Sequence, residues 1–424
     1  MTLNLRTKLS LAIAALTLAG GVQANQLNDL YQQARNYDAE LLAAQAQANA
    51  GLQAEPIAKA STLPSVTLTG SASDTNLTDV ASGFTLSLSQ PLFDLNKWYN
   101  YDRAQTLSEQ AKLSLSLAEQ GLILRVVNAY LDILSAQATL EVAESRERAL
   151  SRRLDQVNAQ FEVGLIALTD VLEARASYDD ARVGLIDAKG ALANSFEAME
   201  RVSGLAINSV APLSPDYPIL GLEVSDTEQW VAKALQGNLA LQSFQLSERA
   251  ANQNLEAYRA AAMPTLSLSA SLNSGEDNFM RSRADSQVGL TLTIPLYRGG
   301  ATSAAEKQAE YQAAQSGYEY DDKLREVTQS TRSLVRDIET SVASVEARMK
   351  SIESRETALE ATEQGFEVGT RNVVDVLDAE NALYVARQNY VDARLGHIKQ
   401  QFALKQAVGT LSPEDIVTLD KWLK

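Results

Sequence analysis

The nine prolines stand at positions 56, 64, 91, 212, 215, 218, 264, 295 and 413, which leaves residues 92–211 and 296–412 without one. Inside a helix a proline loses a hydrogen bond and clashes with the preceding turn, at a cost of about 3 kcal/mol. Two stretches of 120 and 117 residues that exclude it, rich in Ala, Leu, Gln, Glu and Arg, are therefore predicted to be helical through most of their length. Their apolar residues agree. Leu117, Leu124 and Leu131 recur every seven residues beside a row of Leu113, Val127 and Leu134. In the later stretch Leu334, Ile338, Val342, Val345, Met349, Ile352 and Leu359 follow mostly at three and four. This is coiled-coil periodicity, and an ordinary soluble coiled coil shares it.

The two stretches are copies of each other. Phe161-Glu162-Val163-Gly164 matches Phe366-Glu367-Val368-Gly369, Asp170-Val171-Leu172 matches Asp375-Val376-Leu377, and Ala174 matches Ala379, all at an offset of 205. The correspondence extends upstream, where Leu63-Pro64 matches Met263-Pro264 and Pro91-Leu92-Phe93 matches Pro295-Leu296-Tyr297. A repeat this long means duplication of a large unit. Gly164 and Gly369 each interrupt a helical pattern, so each copy reads as helix, tight turn, helix. From Leu95 to Gly164 there are 70 residues, roughly 105 Å of helix at 1.5 Å per residue.

Between the prolines, four segments alternate. Val66, Leu68, Gly70 and Ala72 are interleaved with Thr67, Thr69, Ser71 and Ser73; Phe84, Leu86 and Leu88 with Thr85, Ser87 and Ser89. Leu266, Leu268, Ala270 and Leu272 alternate with Ser267, Ser269 and Ser271, and Val288, Leu290, Leu292 and Ile294 with residues that include Thr291 and Thr293. One face is apolar, the other small and hydroxylic. A soluble sheet with one wet face has this period, and so does a transmembrane β-barrel. The near absence of charge on the wet face favours the barrel, as does a cluster of aromatics (Phe93, Trp98, Tyr99, Tyr101, Tyr297) where strands meet helices. Four strands cannot close a barrel, so the chain must oligomerise. Two copies make an eight-stranded barrel that side chains nearly fill. Three make twelve strands and an open lumen, which the small hydroxylic faces favour.

Residues 1–24 read as a secretory signal peptide: Arg6 and Lys8, the apolar run Leu9–Leu18, then the small-residue cleavage pattern Val22-Gln23-Ala24. Its removal takes the net charge from −16 to −18, which argues against nucleic acid. There is no cysteine, which excludes disulfides, thiolate metal sites and an acylated N-terminal Cys. No later stretch approaches 18 consecutive apolar residues, the length that marks a transmembrane helix candidate. The one histidine, His397, lies in a helical pattern and is read as a helix-surface or packing residue. Nothing suggests an enzyme or a cofactor.

The run Gly369-Thr370-Arg371-Asn372-Val373-Val374-Asp375-Val376-Leu377-Asp378-Ala379 resembles the second-repeat turn of TolC-family outer-membrane efflux proteins. So do Gln406-Ala407-Val408-Gly409-Thr410-Leu411, the junction Ile294-Pro295-Leu296-Tyr297-Arg298-Gly299-Gly300, and the first-repeat turn Phe161-Glu162-Val163-Gly164-Leu165 with Thr169-Asp170-Val171. The resemblance covers the mature chain. It implies a mainly α, mixed fold: a homotrimer sharing one twelve-stranded transmembrane β-barrel, four strands per chain, above a long periplasmic α-helical barrel. It also implies an outer-membrane conduit that docks with a periplasmic adaptor and an inner-membrane RND, ABC or MFS transporter, the barrel being in contact with outer-membrane lipid. The alternative is a periplasmic or surface coiled-coil filament.

On this reading residues 25–62 form a first periplasmic helix, 63–93 the first hairpin, and 94–204 the first helical hairpin with its tip near 164–168. Residues 205–237 form a collar segment, which Pro212, Pro215 and Pro218 break, with Ser225 and Glu228 as a capping box. A helix at 238–262 follows, then the second strand hairpin at 263–296, the second helical hairpin at 297–410 with its tip near 369–373, and a collar segment at 411–424 that opens on Ser412-Pro413.

The tips carry the functional expectations. Asp375 and Asp378 are three apart and share a helix face. Spacing alone fits a solvated helix start, where the dipole favours Asp. The resemblance makes them an acidic selectivity ring. It also makes Arg371, which replaces Ile166 of the first repeat, the cation tying its turn to Thr169 and Asp170 of a neighbouring hairpin. Phe366 stands where the family commonly has Tyr, so a hydroxyl contact of the gate is absent or replaced. Gly164, Leu165, Gly369 and Thr370 are the expected adaptor-contacting tips.

Overall fold

The computed structural model describes residues 27–75, 78–222, 226–276 and 282–424. The signal-peptide expectation and Ser225 lie outside them. In chain order the elements are α1 (Leu27–Tyr37), α2 (Ala39–Leu52), α3 (Ala54–Ala60), β1 (Ser65–Thr75), β2 (Thr78–Phe93), α4 (Leu95–Glu162) and α5 (Leu168–Ser203). Then come α6 (Thr227–Gly237), α7 (Leu239–Ala260), β3 (Thr265–Glu276), β4 (Ser282–Thr293), α8 (Ala301–Glu367), α9 (Val373–Ala407) and α10 (Pro413–Asp420).

Helices α4 and α8 run unbroken for 68 and 67 residues, roughly 100 Å each. Their return arms α5 and α9 have only 36 and 35 residues. The remaining length is covered by separate helices: α2 and α3 pack along α4 above α5, and α7 lies in the groove between α4 and α8 above α9. Each repeat therefore contains a joint between a descending and a returning helix. In the first, Gly204 ends α5 at φ 72° and meets the ring of Tyr37, while Asp38 caps α2 by accepting from Leu41 N at 2.7 Å. Arg125 of α4 holds the Asp38 carboxylate at 2.8 Å. In the second, Asn238 caps α7 by accepting from Leu241 N at 2.8 Å and donates to Ala407 O, at the end of α9, at 2.9 Å. Gly237 and Gly409 meet backbone to backbone there.

The joints correct one expectation. Residues 25–62 are not one helix: the described part divides into α1, α2 and α3, because Asp38 leaves the helical region (ψ 113°) to cap α2. Likewise the second helical stretch begins at Ala301, after an irregular connector from Ile294 to Gly300. Asp226 instead of Ser225 caps α6, accepting from Glu228 N at 3.0 Å. Ser412 opens α10 as its sequence suggests, its N–H donating to Asp415 Oδ2 at 3.0 Å.

The main core lies at mid-length, where α1, α4, α10 and the ends of α5 and α9 converge on Leu27, Val126, Val127, Tyr130, Met199, Ile398 and Ile416. Tyr130 donates its hydroxyl to Ala211 O at 2.8 Å, which satisfies the one polar atom that its burial would strand. Ser214 N–H donates to Trp422 O at 2.8 Å, Lys424 N–H to Pro212 O at 3.0 Å, and Tyr217 meets Trp422 edge to face. Residues 212–217 and the C-terminal residues 422–424 thus pair with each other. The periodic residues are not all buried: Leu117 and Leu124 are half-covered and Met349 is exposed in the single chain.

The four strands make one antiparallel sheet in the order β1-β2-β3-β4. Register aligns apolar rows such as Leu68–Leu86–Leu272 on one face and polar rows such as Thr67–Ser87–Ser271–Gln287 on the other. Val66, Leu68, Val288, Leu290 and Leu292 are exposed, as are Phe93, Trp98 and Tyr297 at the helical end. Strands β1 and β4 have free edges. In a membrane an open edge is untenable, because unpaired backbone groups find no water there.

Candidate gate at the hairpin tips

Both tips are built by one turn. After α4, Gly164 takes φ 75°, its N–H donates to Phe161 O, and Leu165 N–H donates to Gln160 O, both at 2.9 Å. After α8, Gly369 takes φ 78°, its N–H donates to Phe366 O at 3.1 Å, and Thr370 N–H to Gly365 O at 2.8 Å. A Cβ at either glycine would meet nothing within 4 Å. The backbone conformation demands glycine here, and space does not.

The next helices start on repeat-related aspartates. Asp170 Oδ2 accepts from Ala167 N at 3.4 Å. Asp375 does the same for Asn372 N at 3.2 Å, and Asn372 Oδ1 in turn accepts from Asp375 N at 2.8 Å. Asp170 and Asp375 therefore have a capping role in both repeats. Asp378 is exposed and, among the described residues, makes no ion pair within 4.0 Å.

Arg371 Nη1 lies 4.0 Å from Asp375 Oδ2 of its own helix, with 61% of its side chain exposed. Within one chain it is not bonded to Thr169 or Asp170; Thr169 is exposed. Ile166, its counterpart, turns inward and packs with Leu150, Val157, Val373 and Leu377. Leu165, Gly164, Gly369 and Thr370 are exposed at the extreme end, with Val163 and Val368 beside them.

Phe366 is half-buried in the same cluster, and the guanidinium of Arg153 lies over its ring at 6.0 Å. Arg153 Nη2 also reaches Glu363 Oε1 at 2.6 Å and Glu380 Oε1 at 3.0 Å. A single cation from α4 thus binds both α8 and α9. Its side chain is 10% exposed and that of Glu380 7%. Burial pushes the Glu380 carboxyl above the usual carboxylate range, and Arg153 only partly offsets this. Arg153 Nε and Glu380 Oε2 are buried without partners, so the staple is incompletely satisfied and carries the desolvation cost of those two atoms.

Sequence reasoning missed this staple, although a signal was present. Arg153 lies on the stripe Leu150, Leu154, Val157 of α4, and Glu380 on the stripe Val373, Val376, Leu377 of α9. Opposite charges on two facing apolar stripes point to a buried pair.

His397 is fully buried between α8 and α9. Ser341 donates its hydroxyl to Ile338 O at 2.7 Å, so it accepts from His397 Nδ1–H at 2.7 Å. His397 Nε2 then accepts from Gln401 Nε2 at 2.9 Å. The neutral ring is the one that fits, and burial lowers its pKa.

Comparison with known proteins places this geometry. The family model for outer membrane efflux proteins matches residues 30–205 and 230–410, one match per repeat. The chain is 33% identical over 421 residues to the outer membrane protein TolC of Vibrio cholerae, covering 96% of each. It is 30% identical over 411 residues to the alkaline protease secretion protein AprF of Pseudomonas aeruginosa, covering 92% of this chain and 85% of that one. Among solved structures CusC superposes with a TM-score of 0.81 at 20% identity, covering 93% of this chain and 95% of that one.

Proposed function

Since this chain belongs to the outer membrane efflux protein family, we propose that three copies form a passive export duct, gated at the hairpin tips. As a family member it is an outer-membrane channel protein that extends into the periplasm and works with other efflux components. The observation that carries the reading is the open four-stranded sheet, apolar on one face and hydroxylic on the other, continuous with helices of roughly 100 Å. Three such sheets pair their free edges into one barrel with a polar lumen. The helices carry the passage across the periplasm.

The duct has no energy source of its own. A periplasmic adaptor meets the exposed tips at Gly164, Leu165, Gly369 and Thr370, and an inner-membrane RND, ABC or MFS transporter supplies substrate and work. The cargo is small molecules, proteins or both, the latter in keeping with the likeness to AprF. In the closed state Arg153 staples α4 to α8 and α9 inside each subunit. Arg371, exposed on its turn, reaches Thr169 and Asp170 of a neighbouring hairpin. Adaptor docking shifts the population toward the open form. Asp378, with Asp375 beside it, sets cation preference at the entrance.

The test is conductance. Detergent-extracted protein added to a planar bilayer is expected to give discrete steps, larger for Arg371→Ser than for the wild type. A preparation without steps favours the filament alternative, and equal steps in the two proteins remove Arg371 from the gate.

A further inference from the structure

The repeats differ at two linked positions of the tip. Arg371 replaces Ile166, and Gly365 of α8 replaces Gln160 of α4 at the same offset of 205. Unlike Gly164 and Gly369, Gly365 has no positive φ, so its backbone does not require glycine. A glycine there weakens the end of a long helix, because glycine is a poorer helix former than almost any other residue. Space is what requires it. A Cβ at Gly365 would stand 2.8 Å from Arg371 Cγ, 3.3 Å from Thr370 Oγ1 and 3.5 Å from Arg371 Cβ.

The turn cannot withdraw to make room. Gly365 O accepts from Thr370 N at 2.8 Å, from Arg371 N at 3.1 Å and from Thr370 Oγ1 at 3.0 Å. The backbone of Arg371 is thus fastened to the residue its stem lies against. In the first repeat Gln160 O accepts from Leu165 N, and the Ile166 side chain packs inward instead.

We infer that Gly365 is the positioning residue of the gate: its missing side chain seats the stem of Arg371 on α8 and so aims the guanidinium across the tip. With a methyl group at 365, Arg371 Cγ must leave this seat, and the guanidinium loses both its place near Asp375 and its reach to the neighbouring hairpin. The inference rests on the reading of Arg371 as the gate cation.

The test compares single-channel conductance of the wild type, Gly365→Ala, Arg371→Ser and the double variant, each as a purified trimer in planar bilayers. Gly365→Ala is expected to raise conductance in the same direction as Arg371→Ser, and the double variant to match Arg371→Ser alone. Wild-type conductance in Gly365→Ala overturns the inference. So does a double variant that adds the full Gly365→Ala increment to that of Arg371→Ser, because alanine would then be acting on the turn and not through Arg371. If Gly365→Ala fails to assemble, Gly365→Ala combined with Arg371→Ala decides: alanine at 371 has no γ atom for the new methyl to meet, so its assembly supports the inference and its failure overturns it. If Arg371→Ser itself conducts like the wild type, the gate reading falls and takes this inference with it. That outcome is distinct from a Gly365→Ala effect independent of Arg371.

Discussion

Replacing Arg153 with Met keeps the unbranched apolar stem but removes the guanidinium and strands Glu380. The Glu363 contact adds little, because that carboxylate is 43% exposed and exposed pairs are worth about 0–1 kcal/mol. The stacking on Phe366, at 6.0 Å, lies at the outer limit for a cation–π contact and adds about 0.5 kcal/mol. The Arg153–Glu380 pair dominates, since both side chains are at most 10% exposed. Breaking a buried pair by removing one partner costs about 3–5 kcal/mol. Glu380 can escape part of that cost by taking a proton, so the lower end, about 3 kcal/mol, is the expected loss. That is roughly a hundredfold in the local opening equilibrium, at about 1.4 kcal/mol per decade. Hydrogen exchange of the trimer, read on peptides spanning 150–160 and 363–380 and corrected for intrinsic rates, measures it. The sign with pH follows from Glu380. Its folded-state pKa is raised, and further so without Arg153, so the deficit is full where Glu380 is ionised and shrinks as falling pH protonates it. Adding Glu380→Met should restore most of the protection, because a buried pair replaced by apolar groups is close to neutral. Unchanged protection in Arg153→Met, or a deficit equal at low and high pH, would refute the staple.

Three further outcomes are expected. His397 is held neutral by burial, so the unfolded chain binds its proton at the higher pH; thermal stability contributed by the buried ring is present above about pH 6.5 and lost as pH falls below it. His397→Gln should flatten that acid limb in melting curves, and an unaltered limb removes His397 as its cause. Gly409→Ala forces a left-handed φ of 74° on alanine and drives its methyl into the Gly237 carbonyl; a loss above about 2 kcal/mol is expected, read as a lowered melting temperature of the trimer, and an unchanged value contradicts the tight α9–α7 joint. Replacing Asp375 and Asp378 together with Asn keeps an acceptor for the α9 cap while removing the charge; cation preference in reversal-potential measurements should fall, and an unaltered reversal potential excludes an acidic ring.

Helix existence, the duplication and the strand alternation were legible because each is a periodic signal repeated over many residues. Proline exclusion alone outlined α4 and α8. What was not legible depends on side chains that meet across elements. The break at Asp38 was hidden because Ala, Leu and Gln continue on both sides of it, and the Arg125 that holds the capping Asp38 and the Gly204 that meets Tyr37 both come from distant parts of the chain. Gly409 stood in a quoted motif, yet its partner Gly237 is 172 residues away, and no local pattern joins them. The Arg153–Glu380 pair is less legible for a related reason: the turn residues are neighbours in sequence, while the charges that bridge the helices sit one to three turns inside the apolar stripes of different helices. Asp375 shows the reverse case. Its spacing from Asp378 suggested a shared role, and the structure gives it a local one as a cap, which Asp378 lacks.

The central claim is that three chains close one barrel through the free edges of β1 and β4. The chain has no cysteine, so pairs introduced stepwise along the two edges (at Thr67 and Thr291, for example) report on that closure against a clean background. Oxidised outer membranes run on a denaturing gel should show monomer, dimer and trimer at the matching register, with the ladder ending at three. A ladder ending at two, or one that continues beyond three, would contradict a closed trimer and the duct built on it.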